Sequence, residues 1–217
     1  MKIIEPSYTI LSDISEGGIK ELQFIESAAR TCYKSEDKIT EDGESAKALI
    51  RRLITSGHEA MLEHSMLSVR FVVDRGISHE IVRHRLFSFA QESTRYCNYS
   101  KGKFGSELTF IKPCFFEKTS PKYITWANFC RIAEDVYLGF IETCDVTPQE
   151  ARTVLPNSIA TELVVTGNYR EWRHFLKLRT DKAAHPQMRE VTELLLLRLQ
   201  ERIPIIFDDI GADADET

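Results

Sequence analysis

The amino-acid sequence predicts an α+β fold, in which a small, largely antiparallel sheet is surrounded by helices in a single domain. The chain has 217 residues and is 42% hydrophobic, which is enough for a substantial core. Stretches with apolar residues at helical spacing outnumber stretches in which apolar residues alternate. The two kinds of stretch lack the regular strand–helix–strand order of a doubly wound parallel sheet.

Hydrophobic spacing predicts each element in turn. Residues 2–11 are expected to form a short strand interrupted at Pro6, and 17–34 and 41–56 carry apolar residues at helical spacing. Over 65–74, apolar side chains alternate, as in a strand with one buried face. Further along, the same criteria predict helices over 77–87, 121–143, 167–179 and 187–203, a short helix before Pro156, a strand over 158–166 and an irregular segment over 98–119.

One domain is expected over residues 1–205, followed by an acidic tail over 206–217, within which the stretch DDIGADADET, residues 208–217, is expected to be frayed. The sequence contains no apolar run of about 18 residues, which a membrane-spanning helix requires. Its first ten residues, MKIIEPSYTI, lack the apolar segment and small-residue cleavage site of a signal peptide. We therefore expect a cytoplasmic protein that does not bind membranes.

The charge distribution narrows the class of ligand. The net charge is −5 and the isoelectric point about 5.7, so general binding to nucleic acid polymers is not expected. Basic residues nevertheless collect over 83–95 and 170–189, a pattern that favours a small anionic ligand. Neither GxGxxG nor GxxxxGK[ST] is present, which argues against Rossmann and P-loop nucleotide binding.

No metal site is predicted. The five cysteines lie far apart without CxxC or Cys/His spacing, so we expect reduced, structural thiols. The segment GHEAMLEH, residues 57–64, contains two histidines six positions apart, whereas a zinc-binding HExxH helix needs them four apart. His58 and Glu63 are instead candidates to line a pocket beside the following strand.

Arg83, His84 and Arg85 are placed near the C-terminal end of the predicted helix 77–87. Cations at this position are often only a solvated helix end, where they interact favourably with the helix dipole. The next residues are rich in hydroxyl groups, and arginines together with hydroxyls are the donors that bind phosphate. For Ser93, a ligand-binding role is favoured over a nucleophilic one because a GxSxG elbow and a paired base are lacking.

Arg179 continues an apolar stripe formed by Tyr169, Trp172 and Leu176. A cation on the buried side of a helix has to be paired or bind a ligand, because its desolvation alone is costly. A structural salt bridge and a ligand-binding role fit this pattern equally well. For Arg152, the local pattern indicates no more than an exposed arginine.

The triplet Arg83-His84-Arg85, followed after seven residues by Ser93, resembles the signature of the flavin-dependent thymidylate synthases. Four further segments agree with that family in the expected order, namely GHEAMLEH, QESTRY, EARTVLP and GNYREWRHFLKLR. The resemblance extends over about residues 20–200, most of the chain.

The resemblance implies reductive methylation of dUMP to dTMP. Methylenetetrahydrofolate would supply the carbon and leave as tetrahydrofolate, while FAD, reduced by NADPH, would supply the hydride. The resemblance also implies a homotetramer whose active sites are shared between chains. Shared sites would explain why one chain shows scattered basic clusters and no complete cofactor motif.

Site residues follow from the resemblance position by position. It places at the flavin His58, Glu63, Arg83, His84, Arg85, Gln91, Asn168, Arg170 and His174. It places at dUMP Glu80, Arg83, Gln91, Glu92, Ser93, Thr94, Arg95, Arg152 and Arg179. Catalytic roles fall to Arg179, which would favour ionisation at N3 of the uracil, and to Ser93, which would bind and polarise dUMP.

Four positions depart from the family pattern: Ala60, Glu80, Ala90 and His174. Two alternative functions are a non-catalytic flavin- or nucleotide-binding protein and a flavoenzyme that methylates another uracil nucleotide. The presence of Arg83, Ser93, Arg95, Arg152 and Arg179 weighs against the non-catalytic alternative.

Overall fold

Two long strands and several short ones form two small sheets in the computed structural model, which describes residues 1–211 apart from the side chain of Lys103. Strand β1 (Lys2–Ile4) pairs in parallel with β5 (Thr109–Ile111). The other sheet has the order β2–β3–β6–β4, with bounds Ser7–Ile10, Met66–Asp74, Ala160–Asn168 and Ser88–Gln91. The predicted α+β class, with a small antiparallel sheet, is confirmed, as is the interruption of the first strand at Pro6.

Helices account for much of the remaining described chain. Their bounds, from α1 to α8, are Ile19–Thr31, Glu44–Thr55, Arg75–Ile81, Pro121–Thr143, Pro148–Ala151, Tyr169–Arg179, Pro186–Arg202 and Pro204–Phe207. Short 3-10 turns cover Glu16–Gly18, Glu36–Lys38, Glu59–His64, Gly102–Phe104 and Arg152–Val154. The long predicted helices and the two long predicted strands are confirmed, with shifts at their ends. Within residues 1–211, no helix is long and apolar enough to cross a membrane.

The predicted helix over 77–87 is wrong beyond Ile81. Helix α3 begins at Arg75, where the Asp74 carboxylate accepts a hydrogen bond from the backbone N–H of Ile77 at 2.9 Å. The chain then turns and enters strand β4 at Ser88, so pairing in the sheet replaces the last helical turns. The triplet Arg83-His84-Arg85 therefore lies in the turn between α3 and β4 and not on a helix.

The described contacts divide the chain into two compact units. Unit 1 comprises residues 1–8, 70–83 and 89–164. Its core contains buried side chains from β5, α4 and the segments beside them, namely Tyr99, Leu108, Phe110, Cys130, Tyr137, Ala151 and Ile159. Helix α4 begins where Ser120 caps the N–H of Tyr123, with Pro121 as its first residue.

Unit 2 comprises residues 9–69 and 84–88 together with the chain from 165 onwards. Helix α6 is fixed in this unit by the indole N–H of Trp172, which donates to the carbonyl of Leu67 at 2.9 Å. The rings of Phe87, Trp172 and Phe175 pack together, with centroids 4.7–5.7 Å apart.

The C-terminal segment is packed further than expected. Ile206, Phe207 and Ile210 are buried, and Asp209 pairs with a buried arginine of α6. The expectation of a frayed tail is therefore wrong for residues 208–210, because Ile210 is buried and Asp209 is held by its ion pair with Arg173. Residues 212–217 of the predicted tail lie outside the described residues, and the domain boundary at 205 stays a prediction.

Gly167 is required by the aromatic cluster of unit 2. A Cβ at this position would overlap the ring of Phe87, which is held against Trp172 and Phe175 and cannot move away freely. We predict that Gly167→Ala lowers the free energy of unfolding by about 1–3 kcal/mol, the usual cost of overpacking. Urea denaturation measures this change. Gly102→Ala is the matched control, since a Cβ there meets no atom within 4 Å; equal stability of both variants would contradict the prediction.

Candidate functional site

A cavity of about 710 Å³ in unit 2 is lined by four residues that the resemblance places at the flavin. They are Glu63, Asn168, Arg170 and His174, and the cavity is completed by Glu59, Leu86, Glu171, Arg173 and Lys177. Acidic side chains, basic side chains and one exposed leucine thus surround the cavity. Its volume is within the range of small-molecule binding sites.

The N-terminal turn of α6 positions most of this lining. Asn168 caps the helix by accepting from the backbone N–H of Glu171 at 2.9 Å. Arg170 and His174, four residues apart, are both exposed on the helix surface. The guanidinium of Arg170 donates to the Glu63 carboxylate at 2.6 Å. This exposed ion pair adds little stability, but it links α6 to the 3-10 turn Glu59–His64.

Arg173 anchors the same helix from its buried side. Its side chain is 1% exposed, and its guanidinium lies 3.0 Å from Glu59 and 2.6 Å from Asp209 and also donates to the carbonyl of Ile206. Two carboxylates and a carbonyl compensate the desolvation of this charge. The fully buried arginine of α6 is therefore Arg173. The apolar stripe of the sequence pointed instead to Arg179.

Arg179 is half-buried at the C-terminal end of α6 and contacts the buried imidazole of His84. Its Nε donates to His84 Nε2 at 3.0 Å. Because Nε of arginine can only donate, His84 Nε2 accepts and the ring proton lies on Nδ1. That nitrogen is 3.5 Å from the Glu171 carboxylate, and the ring packs edge-on against Phe175 at 4.9 Å.

Burial controls the ionisation of the His84 imidazole. Desolvation, together with the charges of Arg179 and His174, lowers the pKa of His84 from 6.5 to about 4. Burial also raises the pKa of Glu171, an effect that nearby His174 opposes. His84 is thus neutral at physiological pH, as its role as an acceptor for Arg179 requires.

The remaining predicted flavin residues lie elsewhere. Arg85 is exposed in unit 2, and Arg83 is exposed in unit 1. His58 is exposed and lines a different cavity of unit 2, of about 650 Å³, together with the cations Arg30 and Arg52. The structure thus groups Glu63 with the α6 residues but does not place His58 in their cavity.

In unit 1, side chains of the predicted dUMP loop hold the loop itself. The Gln91 amide donates to the hydroxyl of Ser78 at 2.9 Å. The Glu92 carboxylate accepts from the Tyr99 hydroxyl at 2.7 Å and from the N–H of Glu162 at 3.2 Å. Burial and the hydrogen bond to Glu92 raise the pKa of Tyr99, which stays a neutral donor. Both carboxylate oxygens of Glu92 are therefore engaged by the protein.

The next residues of the loop form an exposed cationic edge. The backbone N–H of Arg95 donates to the Ser93 hydroxyl at 3.3 Å, a contact typical of a turn-forming serine. The Arg95 guanidinium donates to Gln149 at 3.1 Å. Arg152 is exposed three residues after Gln149, in the turn that follows α5. These cations and this hydroxyl form a donor set suited to a phosphate.

Two other predicted dUMP residues are less accessible. Thr94 is buried, and Glu80 is partly buried on α3, where its carbonyl accepts from the backbone N–H of Arg83 at 3.2 Å. Sequence reasoning noted Tyr99 only as one hydroxyl of the segment after the triplet, and it did not single out Gln149, Glu171 or Arg173. Arg173 had a detectable signal, because it lies four residues after Tyr169 and three before Leu176 on the buried side.

Comparison with known proteins identifies the family. Residues 19–205 match the sequence model of the family described as thymidylate synthase complementing protein. The chain belongs to this family. A flavin-dependent thymidylate synthase of Corynebacterium aurimucosum is 33% identical over 91% of this chain and 83% of its own. That of Corynebacterium efficiens is 30% identical over 96% and 86%. The predicted membership of the flavin-dependent thymidylate synthases is confirmed.

Solved structures agree on the fold. A structure described as the UMP/dUMP methylase PolB from Streptomyces cacaoi, bound with 5-Br dUMP, superposes with a TM-score of 0.76 at 22% identity, covering 96% of both chains. A second structure of PolB, bound with 5-Br UMP, gives a TM-score of 0.74 at 20% identity, covering 96% of this chain and 95% of the other. At these identities the superpositions establish the fold of this family member.

The lowered pKa of His84 predicts a specific acid sensitivity. Since His84 titrates near 6.5 when unfolded and near 4 when folded, the unfolded chain binds more protons between these values. Stability therefore falls as the pH falls through this window, by up to about 2 kcal/mol between pH 7 and pH 5. Urea denaturation at equal protein concentration measures the effect. His84→Gln should abolish it. His79→Gln, the control at an exposed histidine, should retain it. An unchanged pH dependence in His84→Gln would contradict this assignment.

Proposed function

We propose that this protein converts dUMP to dTMP by reductive methylation, with methylenetetrahydrofolate as carbon donor and FAD, reduced by NADPH, as hydride source. Family membership supports the reaction class. The observation that carries the proposal is the cavity of unit 2, where four residues assigned to the flavin meet. The resemblance assigned these residues from sequence positions alone, and their place in the lining of one cavity supports the proposal.

The residues of this cavity suit a flavin nucleotide. Arg170 and Lys177 offer cationic donors of the kind that binds a pyrophosphate. Asn168 and His174 add polar groups, and the exposed side chain of Leu86 offers an apolar surface for an aromatic ring system. When bound and reduced, FAD supplies the hydride, a chemistry that amino-acid side chains do not provide.

The protein's own contribution is to bind dUMP and to stabilise charge. Arg95 and Arg152 would bind the phosphate, and the Ser93 hydroxyl would hydrogen-bond the nucleotide. Arg179 would place a positive charge beside the pyrimidine, where it lowers the energy of negative charge that develops on the ring. The hydrogen bond from Arg179 to neutral His84 fixes the guanidinium before the nucleotide binds. Glu92 would shape the loop through its hydrogen bond with Tyr99. This structural role would account for the presence of a carboxylate close to the segment that is proposed to bind the phosphate.

Self-association to a homotetramer with shared active sites is part of the proposal. Helix α4 buries one face in the core of unit 1 and exposes apolar side chains on another. Phe129, Ile132 and Val136 follow the spacing i, i+3, i+7 and are 55%, 59% and 38% exposed. An exposed apolar stripe of this kind marks a contact surface, and a second copy of the chain is the partner that the resemblance implies.

Methylation of UMP is a second candidate reaction. The observation that favours it is the fold shared with PolB, which is described as a UMP/dUMP methylase. The two reactions differ only at the ribose 2′ position of the substrate. A non-catalytic flavin- or nucleotide-binding role is the third possibility and predicts binding without turnover.

The test is product formation by the purified protein. We expect dTMP from dUMP when FAD, NADPH and methylenetetrahydrofolate are all present, and none when any one is omitted from protein stripped of flavin. Chromatography of the nucleotides measures the product. UMP, supplied in a parallel reaction, separates the two methylation reactions, and bound ligands without any methylated product would contradict the proposal.

The Arg179→Ala variant tests the electrostatic role. Removal of a preorganised charge from the reacting centre typically lowers kcat by about 10²–10³-fold. We expect a loss of this size with unchanged flavin content, measured from the absorbance of the flavin. Arg198→Ala, at an exposed arginine of α7 paired with Glu201, should keep the activity of the wild type. Parallel loss of flavin and turnover in Arg179→Ala would indicate a structural role instead.

A further inference from the structure

Glu171 is a buried carboxylate that the family resemblance assigns to no ligand. It is the third residue of α6, and its side chain is 7% exposed. Burying an ionised carboxylate is costly unless other groups compensate its charge. The N-terminal end of α6 provides part of this compensation through the helix dipole. A specific partner is needed for the rest.

That partner is His84. The distance from Glu171 Oε1 to His84 Nδ1 is 3.5 Å, long for a hydrogen bond but within the range of direct electrostatic attraction. On the opposite edge of the ring, Nε2 accepts from Arg179 at 3.0 Å. The proton on Nδ1 therefore faces the carboxylate, and the lone pair of Nε2 faces the guanidinium.

One helix supplies the carboxylate, the aromatic edge and the guanidinium that contact the ring. Glu171, Phe175 and Arg179 recur at i, i+4 and i+8, so they form a row along one side of α6. His84 lies along this row, with its ring edge-on to Phe175 at 4.9 Å between the acidic and the basic ends. The row leaves the imidazole one favourable orientation.

We infer that Glu171 is a positioning residue, which holds His84 in the Nδ1–H tautomer so that Nε2 can accept from Arg179 and orient its guanidinium. The inference deepens the proposed function and rests on it for the role of Arg179 at the pyrimidine. In the other tautomer, the N–H of His84 Nε2 would face the N–H of Arg179, and two donors cannot form a hydrogen bond. Loss of the carboxylate would thus act on Arg179 through a residue that lies between them.

The second imidazole beside the ring does not replace Glu171. His174 lies 5.9 Å from His84 between ring centroids and is exposed to solvent. It carries no negative charge to attract the Nδ1 proton. A purely structural role of Glu171, as an acidic residue in the first turn of α6, would leave the tautomer of His84 unchanged in its absence.

The direct readout is the tautomer of His84, observed by ¹⁵N NMR of protein labelled at its six histidines. The resonances of His84 are those missing from His84→Gln. We expect the Nδ1–H tautomer in the wild type and a shift towards Nε2–H in Glu171→Ala. Glu171→Gln keeps an acceptor oxygen and the side-chain shape, so it should retain more of the native tautomer, and it serves if Glu171→Ala does not fold. Glu201→Gln, at an exposed position of α7, is the control and should match the wild type.

Turnover provides the second readout. For Glu171→Ala we expect kcat to fall roughly ten- to hundredfold, the scale of a misplaced catalytic group, with flavin content unchanged and Glu171→Gln in between. An unchanged tautomer overturns the inference, as does a changed tautomer with wild-type kcat. A parallel loss of flavin and kcat also overturns it, because Glu171 would then act on flavin binding. If the wild type forms no dTMP, the proposed function fails, whereas the tautomer still shows whether Glu171 orients His84.

Discussion

The candidate site depends on a buried imidazole that must remain neutral. His84 can accept from Arg179 only while its Nε2 is unprotonated, and burial keeps it so by lowering its pKa to about 4. The aromatic rings beside it provide this burial, and they in turn require a glycine at position 167. Core packing, the ionisation of His84 and the orientation of Arg179 are therefore coupled properties of unit 2.

Helix α6 connects these properties to the cavity of about 710 Å³ that it lines. Its exposed side carries Arg170 and His174, while its buried side is anchored by Arg173 to Glu59 and Asp209. Fully paired buried charges specify a single geometry, since any other arrangement leaves a desolvated ion without a partner. The helix thereby presents its polar lining on a rigid support, which is the property that a preorganised binding site needs.

The sequence was sufficient to predict the long helices and strands, but it was not sufficient to predict the contacts between side chains at the site. Helical and alternating spacing located α4, α6, α7 and the central strands, because long periodic segments bury one face whatever their partners. The strands β4 and β5 have four and three residues, too few for a period to be visible. The local pattern predicts helix for the turn after α3, whereas pairing of Ser88–Gln91 in the sheet decides its conformation. Interaction partners distant in sequence, such as Glu59 and Asp209 for Arg173, cannot be read from one helix.

The most direct test of the account is the absorption spectrum of the protein with FAD, recorded without oxygen as NADPH is added. We expect the protein to retain FAD through gel filtration, and its flavin absorbance to bleach faster when dUMP is present than when it is absent. This result would show that flavin and nucleotide occupy one working site in the assembled protein. Failure of the wild-type protein to retain added FAD would contradict the account, because the cavity beside α6 would then lack the ligand from which its chemistry is derived.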